Sequence, residues 1–274
     1  MPTTSEQPAR HDVLELRTHA ERVAVEAARL VAAVRATAVG EVDTKSTETD
    51  VVTSGDRASE RLVRERLAEL TPGVPVIGEE EGGTAPVRGL CWVVDPIDGT
   101  VNYLYGLPWY GVSVAAQVDG VSVAGVIVEP ATGRVWSAAR GHGASLDGVP
   151  LRVSGATRLD LSLVATGFSY AAQRRARQAA LWARLLPRVR DMRRAGASSL
   201  DLCAVAAGWL DAYLEHGLHR WDWAAGALIA EEAGAVVRLP GGDPELGADA
   251  VLVAAPGIAD ALRDELVACG IGQV

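Results

Sequence analysis

Leu90-Cys91-Trp92-Val93-Val94-Asp95-Pro96-Ile97-Asp98-Gly99-Thr100 is the stretch around which we expect the fold to be built. Its first half, residues 90–94, is a short apolar run, which is typical of a buried strand. Its second half, residues 95–100, combines two carboxylates, a rigid proline and a Gly-Thr pair. A turn needs only one aspartate and a glycine. Because strand-end loops often carry function, we interpret residues 95–100 as a functional loop.

Other carboxylates also lie where apolar runs stop. The short run 74–78 leads directly to Glu79 and Glu80, and Asp222 precedes an apolar helical pattern over 223–233. Taken singly, such residues are most often turn formers or helix N-caps. Taken together, they suggest a shared acidic site at the strand ends. The set that we expect to converge is Glu80, Asp95, Asp98 and Asp222.

Four converging carboxylates would repel one another strongly. At ~4 Å and an effective dielectric of ~20, each like-charge contact costs on the order of 4 kcal/mol, so the cluster must take up protons or cations. Oxygen ligands without nearby His or Cys favour Mg²⁺ or Mn²⁺ over zinc. Asp95 could be shared by two ions ~3.5–4 Å apart, an arrangement suited to phosphoryl transfer. Backbone amides at Gly99 and Thr100 could hold the phosphate oxygens.

The rest of the chain alternates between helical and strand periodicities. Helices are expected over residues 11–39, 56–70 (with Asp56 as N-cap), 171–186, 199–207, 223–233 and 258–269. Strands are expected over residues 74–78, 90–94, 162–166, 210–214, 236–239 and 250–254, with an antiparallel meander across 111–153. This pattern predicts an α+β protein with alternating layers of helices and sheets. We expect residues 1–10 to be a disordered tail and 11–274 a single unit, with a seam between the halves 11–153 and 154–274.

Composition excludes several classes of partner. The 274 residues include 26 Lys+Arg and 35 Asp+Glu, which gives a formal net charge of −9. Nucleic-acid binders need a dense basic face, so a nucleic-acid partner is not expected. The sequence contains neither a signal-peptide core nor the ~20-residue apolar stretch of a membrane span. The three cysteines, far apart and odd in number, indicate reduced thiols, so we expect a cytoplasmic protein.

Four motifs together resemble the inositol monophosphatase family, within the lithium-sensitive, magnesium-dependent sugar phosphatase superfamily. Its strand-loop W-x-[VI]-D-P-[IL]-D-G-T-x-N-[FY] matches residues 92–103. Its W-D-x-A-A-G motif, followed by a helix that ends E-A-G, matches residues 221–226 and 232–234. The Gly78-Glu79-Glu80 element and the segment 45–56 match in order and approximate spacing. The resemblance covers nearly the whole chain after the N-terminal tail.

The resemblance implies a layered α-β-α-β-α sandwich, of the type that this family shares with fructose-1,6-bisphosphatase, and usually a homodimer. It implies two or three Mg²⁺ ions, for which Mn²⁺ can substitute. One ion would be held by Glu80, Asp95 and the Ile97 carbonyl, and a third, weaker ion would lie near Glu80. Asp95, Asp98 and Asp222 would hold the second ion. The family pattern also implies that Gly99 and Thr100 bind phosphate, and that Glu80, Thr100 and Asp56 activate the attacking water.

The same resemblance implies a phosphorylated polyol as substrate, with inositol 1-phosphate as the leading candidate. The polyol would face Asp98, Gly196, Ser198 and Glu215. Histidinol phosphate, fructose 1,6-bisphosphate and 3′-phosphoadenosine 5′-phosphate are alternatives, because the branches of the superfamily differ mainly in this outer pocket. An aspartyl-phosphate mechanism and a catalytically silent regulatory protein are further alternatives. Lys45, the single lysine of the chain, and Asp50 are possible accessory residues.

Overall fold

The structure, a computed structural model, describes residues 12–37, 42–44, 51–84 and 88–274. The predicted tail over residues 1–10 lies outside the described residues, as do the accessory candidates Lys45 and Asp50. The seven-stranded sheet comes from residues 76–150 and the five-stranded sheet from 163–254. The division of the chain into halves at residue 153 stays a prediction.

The described helices and strands follow in chain order. The α-helices are α1 (Val13–Thr37), α2 (Ser54–Leu70), α3 (Thr100–Tyr105), α4 (Ala172–Leu185), α5 (Ser198–Ala206), α6 (Arg220–Glu232) and α7 (Ala259–Ala268). The first nine strands are β1 (Val42–Thr44), β2 (Val51–Thr53), β3 (Val76–Gly78), β4 (Leu90–Asp98), β5 (Gly111–Val118), β6 (Val121–Val128), β7 (Val135–Ala139), β8 (Ala144–Leu146) and β9 (Val149–Pro150). The remaining strands are β10 (Leu163–Thr166), β11 (Asp191–Arg193), β12 (Ala212–His216), β13 (Val236–Arg238) and β14 (Ala250–Ala254).

The strands form two principal sheets. The larger has seven strands in chain order from β3 to β9, with β3 parallel to β4 and every later pair antiparallel. The smaller has five strands in the order β11-β10-β12-β14-β13, in which β10 runs parallel to both of its neighbours and β14 antiparallel to both of its own. β1 and β2 form a short separate hairpin pair.

Helices cover both faces of each principal sheet. α1 and α2 pack on one face of the larger sheet, and α5 and α6 lie between the two sheets. α4 and α7 cover the outer face of the smaller sheet. The layers therefore follow the order α-β-α-β-α, which confirms the predicted fold class.

Strand β4 lies at the centre of this packing. Trp92 and Val94 face the core under α1 and α2, whereas Cys91 and Val93 face the core shared with α5 and α6. Because both faces of the strand are covered, its apolar run is continuous and not alternating. The strand thus holds the acidic residues at its carboxyl end in a fixed position between two helical layers.

Most predicted elements are present with small shifts, but the predicted starts of two helices were wrong. The N-cap of α2 is Thr53, and Asp56 occupies the third helical position, where its carboxylate accepts the Thr53 backbone N–H at 2.8 Å. This reciprocal arrangement is a capping box. Helix α6 begins at Arg220, so Asp222 lies inside its first turn. In each case the third-position carboxylate is held by the backbone at the start of its helix.

Candidate functional site

A cleft of ≈ 410 Å³ brings together the end of β4 and the starts of α5 and α6. Its wall includes most of the residues that the sequence singled out: Asp95, Ile97, Asp98, Gly99, Thr100, Gly196, Ser198, Glu215 and Asp222. Glu79 also lines the cleft, and Glu80 is not among the described residues that do. Five separate segments therefore contribute residues to the cleft wall, and the glutamate among them is Glu79. The roles predicted for these residues stay predictions.

Three carboxylates form the acidic centre of the cleft. One oxygen each from Asp95, Asp98 and Asp222 lies within 4.8 Å of the others. Burial is the main reason that the pKa of Asp95 is raised well above its ordinary value, and the negative charges of Glu79, Asp98 and Asp222 raise it further. The pKa of Asp222 is also raised, first by burial and then by Glu79 and Asp98. Such a cluster favours bound protons or cations at neutral pH.

A bulge in β4 explains how Asp95 and Asp98 reach the same side. In a regular strand, residues three apart point to opposite faces. Here Asp95 pairs with Ser113 and Asp98 with Gly111, so β4 gains one residue relative to β5. This irregularity turns Asp98 toward the face that Asp95 already occupies. The Asp95 Oδ1 atom accepts the Ile97 N–H at 3.1 Å and so closes the bulge.

Helix α5 holds the Asp98 carboxylate from the opposite side of the cleft. Asp98 Oδ2 accepts the backbone N–H of Ser199 at 2.7 Å and its hydroxyl at 2.5 Å. Burial raises the pKa of Asp98 to about 6, although the Ser199 hydrogen bonds act in the opposite direction. The start of α5 thus fixes the orientation of the Asp98 carboxylate.

Glu79 is the glutamate after β3 that lines the cleft, whereas the sequence pattern singled out Glu80. It faces Asp95 closely enough that both its charge and a side-chain hydrogen bond raise the pKa of Asp95. Two consecutive glutamates after a strand look equivalent in a sequence pattern. The turn that follows β3 decides which one faces the cleft, and the pattern contains no information on that turn.

Thr100 and Asp56 form a second polar unit at the base of the cleft. The Thr100 hydroxyl lies 3.1 Å from Asp56 Oδ1 and 3.0 Å from the Ile97 carbonyl oxygen. Asp56 is fully buried, and its other oxygen accepts hydrogen bonds from the backbone and hydroxyl of Thr53. When the Thr100 hydroxyl donates its hydrogen bond to Asp56, the lone pairs of its oxygen can accept a hydrogen bond from a further donor.

Gly99 precedes Thr100 in a left-handed conformation, with φ +86°. A side chain here would be strained, and it would also crowd Ala197 and the Trp109 carbonyl oxygen. The bare backbone at this point allows a ligand to approach closely. The sequence correctly marked Gly99 as part of the cleft, and α3 begins directly after it.

The outer part of the cleft contains a further acidic group, Glu215, on β12. Its Oε2 atom accepts the Tyr213 hydroxyl at 2.5 Å, and it lies so close to Gly167 that a Cβ there would overlap it. Burial raises the pKa of Glu215 to about 7. Asp201 also lines the cleft. The sequence did not single it out, because an aspartate inside an apolar helical run gives no separate signal.

The raised pKa of Glu215 predicts a pH-dependent stability. Because the folded pKa of about 7 exceeds the ordinary value of 4.5, the unfolded chain ionises first as the pH rises. The free energy of unfolding should then fall across this window by up to ~3 kcal/mol, at roughly 1.4 kcal/mol per pH unit. Glu215→Gln should remove this contribution. Urea unfolding of the two metal-free proteins from pH 5 to 8 measures their free energies of unfolding. If these free energies change with pH in the same way in wild type and variant, the prediction is wrong.

Comparison with known proteins agrees with this geometry. The model of the inositol monophosphatase family matches residues 12–270. The chain belongs to this family. The match covers both principal sheets and every residue of the cleft described above.

Individual members of the inositol monophosphatase family are similar over nearly their whole length. An inositol-1-monophosphatase of Mycobacterium leprae is 54% identical over 271 residues, covering 92% of this chain and 93% of the relative. The solved structure of Mycobacterium tuberculosis SuhB is 46% identical with a TM-score of 0.83, covering 96% of this chain and 100% of that one. A protein named Nus factor SuhB from Salmonella typhimurium is 36% identical, covering 79% of this chain and 84% of the relative.

Membership of the inositol monophosphatase family supports phosphatase chemistry at the cleft. The family is metal-dependent, and the carboxylate cluster supplies a matching set of oxygen donors. Among the described residues, no helix has the length and apolar character needed to span a bilayer. The predicted phosphatase class and metal-binding character therefore agree with the family.

Proposed function

We propose that this protein is a Mg²⁺-dependent phosphate monoester hydrolase that acts on inositol 1-phosphate. The observation that carries the proposal is the pairing of two units in one cleft. The Asp95-Asp98-Asp222 cluster offers oxygen donors, and the Thr100–Asp56 pair offers a proton path beside it. Helix capping involves Asp56 and Asp222 separately, but it does not require that the two units lie side by side in one cleft.

The residues of the cleft fit magnesium. Its donors are carboxylate oxygens, of which those of Asp95 and Asp98 are buried. The nearby His216 ring has another partner, since its Nε2 lies 2.8 Å from the Leu246 carbonyl oxygen. Hard divalent cations prefer such oxygen ligands. We propose that Glu79, Asp95 and the Ile97 carbonyl hold one ion and that Asp95, Asp98 and Asp222 hold another. Bound magnesium supplies Lewis-acid neutralisation of phosphate charge and lowers the pKa of a nearby water.

The residues of the chain orient the reacting groups. The Thr100 hydroxyl donates a hydrogen bond to Asp56, so that its oxygen can accept a hydrogen bond from the attacking water. Asp56 keeps its orientation because Thr53 binds its second oxygen. We propose that the amides of Gly99 and Thr100 bind the phosphate and help to place the ester in line with the water. The water oxygen then bonds to phosphorus while the P–O bond to the polyol breaks, without a phosphorylated enzyme. The water loses a proton and the leaving polyol oxygen gains one.

The outer cleft supports a polyol as the leaving group. Asp98, Gly196, Ser198 and Glu215 line this side, and carboxylate and hydroxyl oxygens are suitable partners for substrate hydroxyls. The name of the Mycobacterium leprae relative, inositol-1-monophosphatase, supports inositol 1-phosphate over other polyol phosphates.

Phosphate release from a panel of esters tests the proposal. In the presence of Mg²⁺ we expect inositol 1-phosphate to be hydrolysed with a higher kcat/KM than histidinol phosphate, fructose 1,6-bisphosphate or 3′-phosphoadenosine 5′-phosphate. Removal of divalent cations with a chelator should abolish release. Rapid release from histidinol phosphate but none from inositol 1-phosphate would overturn the substrate assignment. A trapped phosphoenzyme would overturn direct attack by water, and an inactive protein would favour a regulatory role.

We also propose that the protein is a cytoplasmic homodimer, as the family resemblance suggests. Light scattering coupled to size-exclusion chromatography measures its mass in solution. A mass equal to the 28.7 kDa of one chain would contradict the dimer.

A further inference from the structure

A buried glutamate on α2, Glu60, lies directly behind the turn that carries Glu79. Its side chain is fully shielded from solvent. Glu60 Oε2 accepts the backbone N–H of Glu80 at 2.7 Å, and Oε1 accepts the backbone N–H of Glu81 at 3.1 Å. Both oxygens of one carboxylate therefore bind the two amides that immediately follow Glu79.

Arg64, one helical turn further along α2, completes this arrangement. Its Nε and Nη2 atoms donate to Glu60 Oε1 at 2.9 and 2.7 Å. Its Nη1 donates to the Val76 carbonyl oxygen at 3.1 Å, and Nη2 donates to the Gly82 carbonyl oxygen at 2.5 Å. The guanidinium thus joins the Glu60 carboxylate to the backbone on both sides of the turn. We call Glu60 and Arg64 the α2 clamp.

Gly78 allows the backbone of β3 to pack closely against the α2 clamp. A Cβ at this position would overlap the Glu60 carboxylate, so the backbone of β3 rests directly against it. The turn is also closed by a hydrogen bond from Gly78 N–H to the Gly82 carbonyl oxygen at 3.0 Å. The peptide planes after Glu79 consequently have little freedom to rotate.

The direction of the Glu79 side chain follows from this restraint. The amides of Glu80 and Glu81 point toward α2, while Glu79 lines the cleft beside Asp95. Charge-assisted hydrogen bonds are about twice as strong as neutral ones, so the clamp resists reorientation better than a neutral partner would. Burying the Glu60 carboxylate costs free energy, which argues against a role that only fills space.

We propose that Glu60, held by Arg64, is a positioning residue that directs the Glu79 carboxylate into the cleft and thereby sets its affinity for Mg²⁺. This inference rests on the proposed function only in assuming that the cleft binds Mg²⁺. Glu60 itself contacts backbone amides, so it acts on the cation through Glu79. Substitutions of residues that orient metal ligands typically weaken metal affinity by about 10- to 100-fold.

Calorimetric titration of the metal-stripped protein with Mg²⁺ tests the inference. We expect Glu60→Gln to weaken Mg²⁺ binding by about 10-fold, because an amide cannot accept both N–H groups and the Arg64 pair equally well. At saturating Mg²⁺, kcat should stay within about threefold of wild type, since the restraint is restored by the bound cation. Glu65→Gln, an exposed substitution on the same helix, is the matched control and should bind as wild type does.

A double-mutant cycle separates positioning from general stabilisation. In a Glu79→Gln background, Glu60→Gln should change the Mg²⁺ affinity by less than about twofold, because the group it directs is absent. A purely structural residue would lower the melting temperature of the metal-free protein and leave the Mg²⁺ affinity unchanged. Arg64→Lys serves as a second variant if Glu60→Gln does not fold, since lysine cannot reproduce the fork of contacts. It should also weaken Mg²⁺ binding.

The outcomes distinguish this inference from the proposed function. If the wild type binds no Mg²⁺, the proposed function fails. If the wild type binds Mg²⁺ and both clamp variants bind equally well, only the positioning role of Glu60 fails. Fully additive effects of Glu60→Gln and Glu79→Gln would also overturn it, because Glu60 would then act independently of Glu79.

Discussion

Asp95→Asn is expected to reduce Mg²⁺-dependent turnover by at least about 10³-fold. Asp95 is almost fully buried at the centre of the cluster, and we propose that it is the carboxylate shared by two ions. Electrostatic stabilisation by metal ions is worth several kcal/mol in the transition state, and ~4 kcal/mol corresponds to this loss. Initial rates over a Mg²⁺ titration measure the effect. A variant that retains more than about a tenth of wild-type turnover would contradict the metal assignment.

The same substitution should leave the fold intact. Asparagine is nearly isosteric with aspartate, and it removes one negative charge from a crowded, buried site. Because the pKa of Asp95 is raised, its ionisation opposes folding progressively as the pH rises above the ordinary value. Metal-free Asp95→Asn should therefore be at least as stable as wild type at pH 7. Thermal unfolding should show that Mg²⁺ stabilises wild type strongly and the variant weakly.

The layered fold was predictable because its signals are local. The shift from helical spacing to alternation across 111–153 marked the meander, and the Asp119-Gly120 and Asp147-Gly148 turns lie between the predicted strands. The continuous apolar run of β4 correctly indicated a strand covered on both faces. Such features depend on the spacing of side chains along one segment, and the sequence displays that spacing directly.

The sequence-based predictions were wrong where the position of a side chain depends on contacts between separate segments of the chain. Asp56 was expected at the N-cap of α2, but Thr53 is an equally good cap, and the capping box requires both residues. The carboxylate of Asp56 is then shared between Thr53 and Thr100, which is 44 residues away. Contacts of this kind appear only when distant segments meet, so residue type and spacing gave no indication of them.

Glu79→Gln and Glu80→Gln should show which of the two glutamates acts in the cleft, a distinction that the sequence pattern cannot make. We expect Glu79→Gln to lower kcat/KM by about 10²-fold and to weaken Mg²⁺ binding, because it removes a carboxylate that faces Asp95. Glu80→Gln should stay within about threefold of wild type. Its backbone amide, which Glu60 binds, is retained in the variant. The two substitutions remove the same charge at adjacent positions, so each controls for the effect of net charge on the other.

The ranking of these two variants decides how the turn after β3 works. If Glu79→Gln is the damaging change, the α2 clamp directs the Glu79 side chain to the position in which it acts in catalysis. If Glu80→Gln is the damaging one, we would infer that the turn changes its orientation and that the amide of Glu80 leaves Glu60. That movement would break a 2.7 Å charge-assisted hydrogen bond to the fully buried Glu60 carboxylate. Because an unpaired buried carboxylate is costly, we expect the turn to keep its orientation and Glu79 to be the ligand.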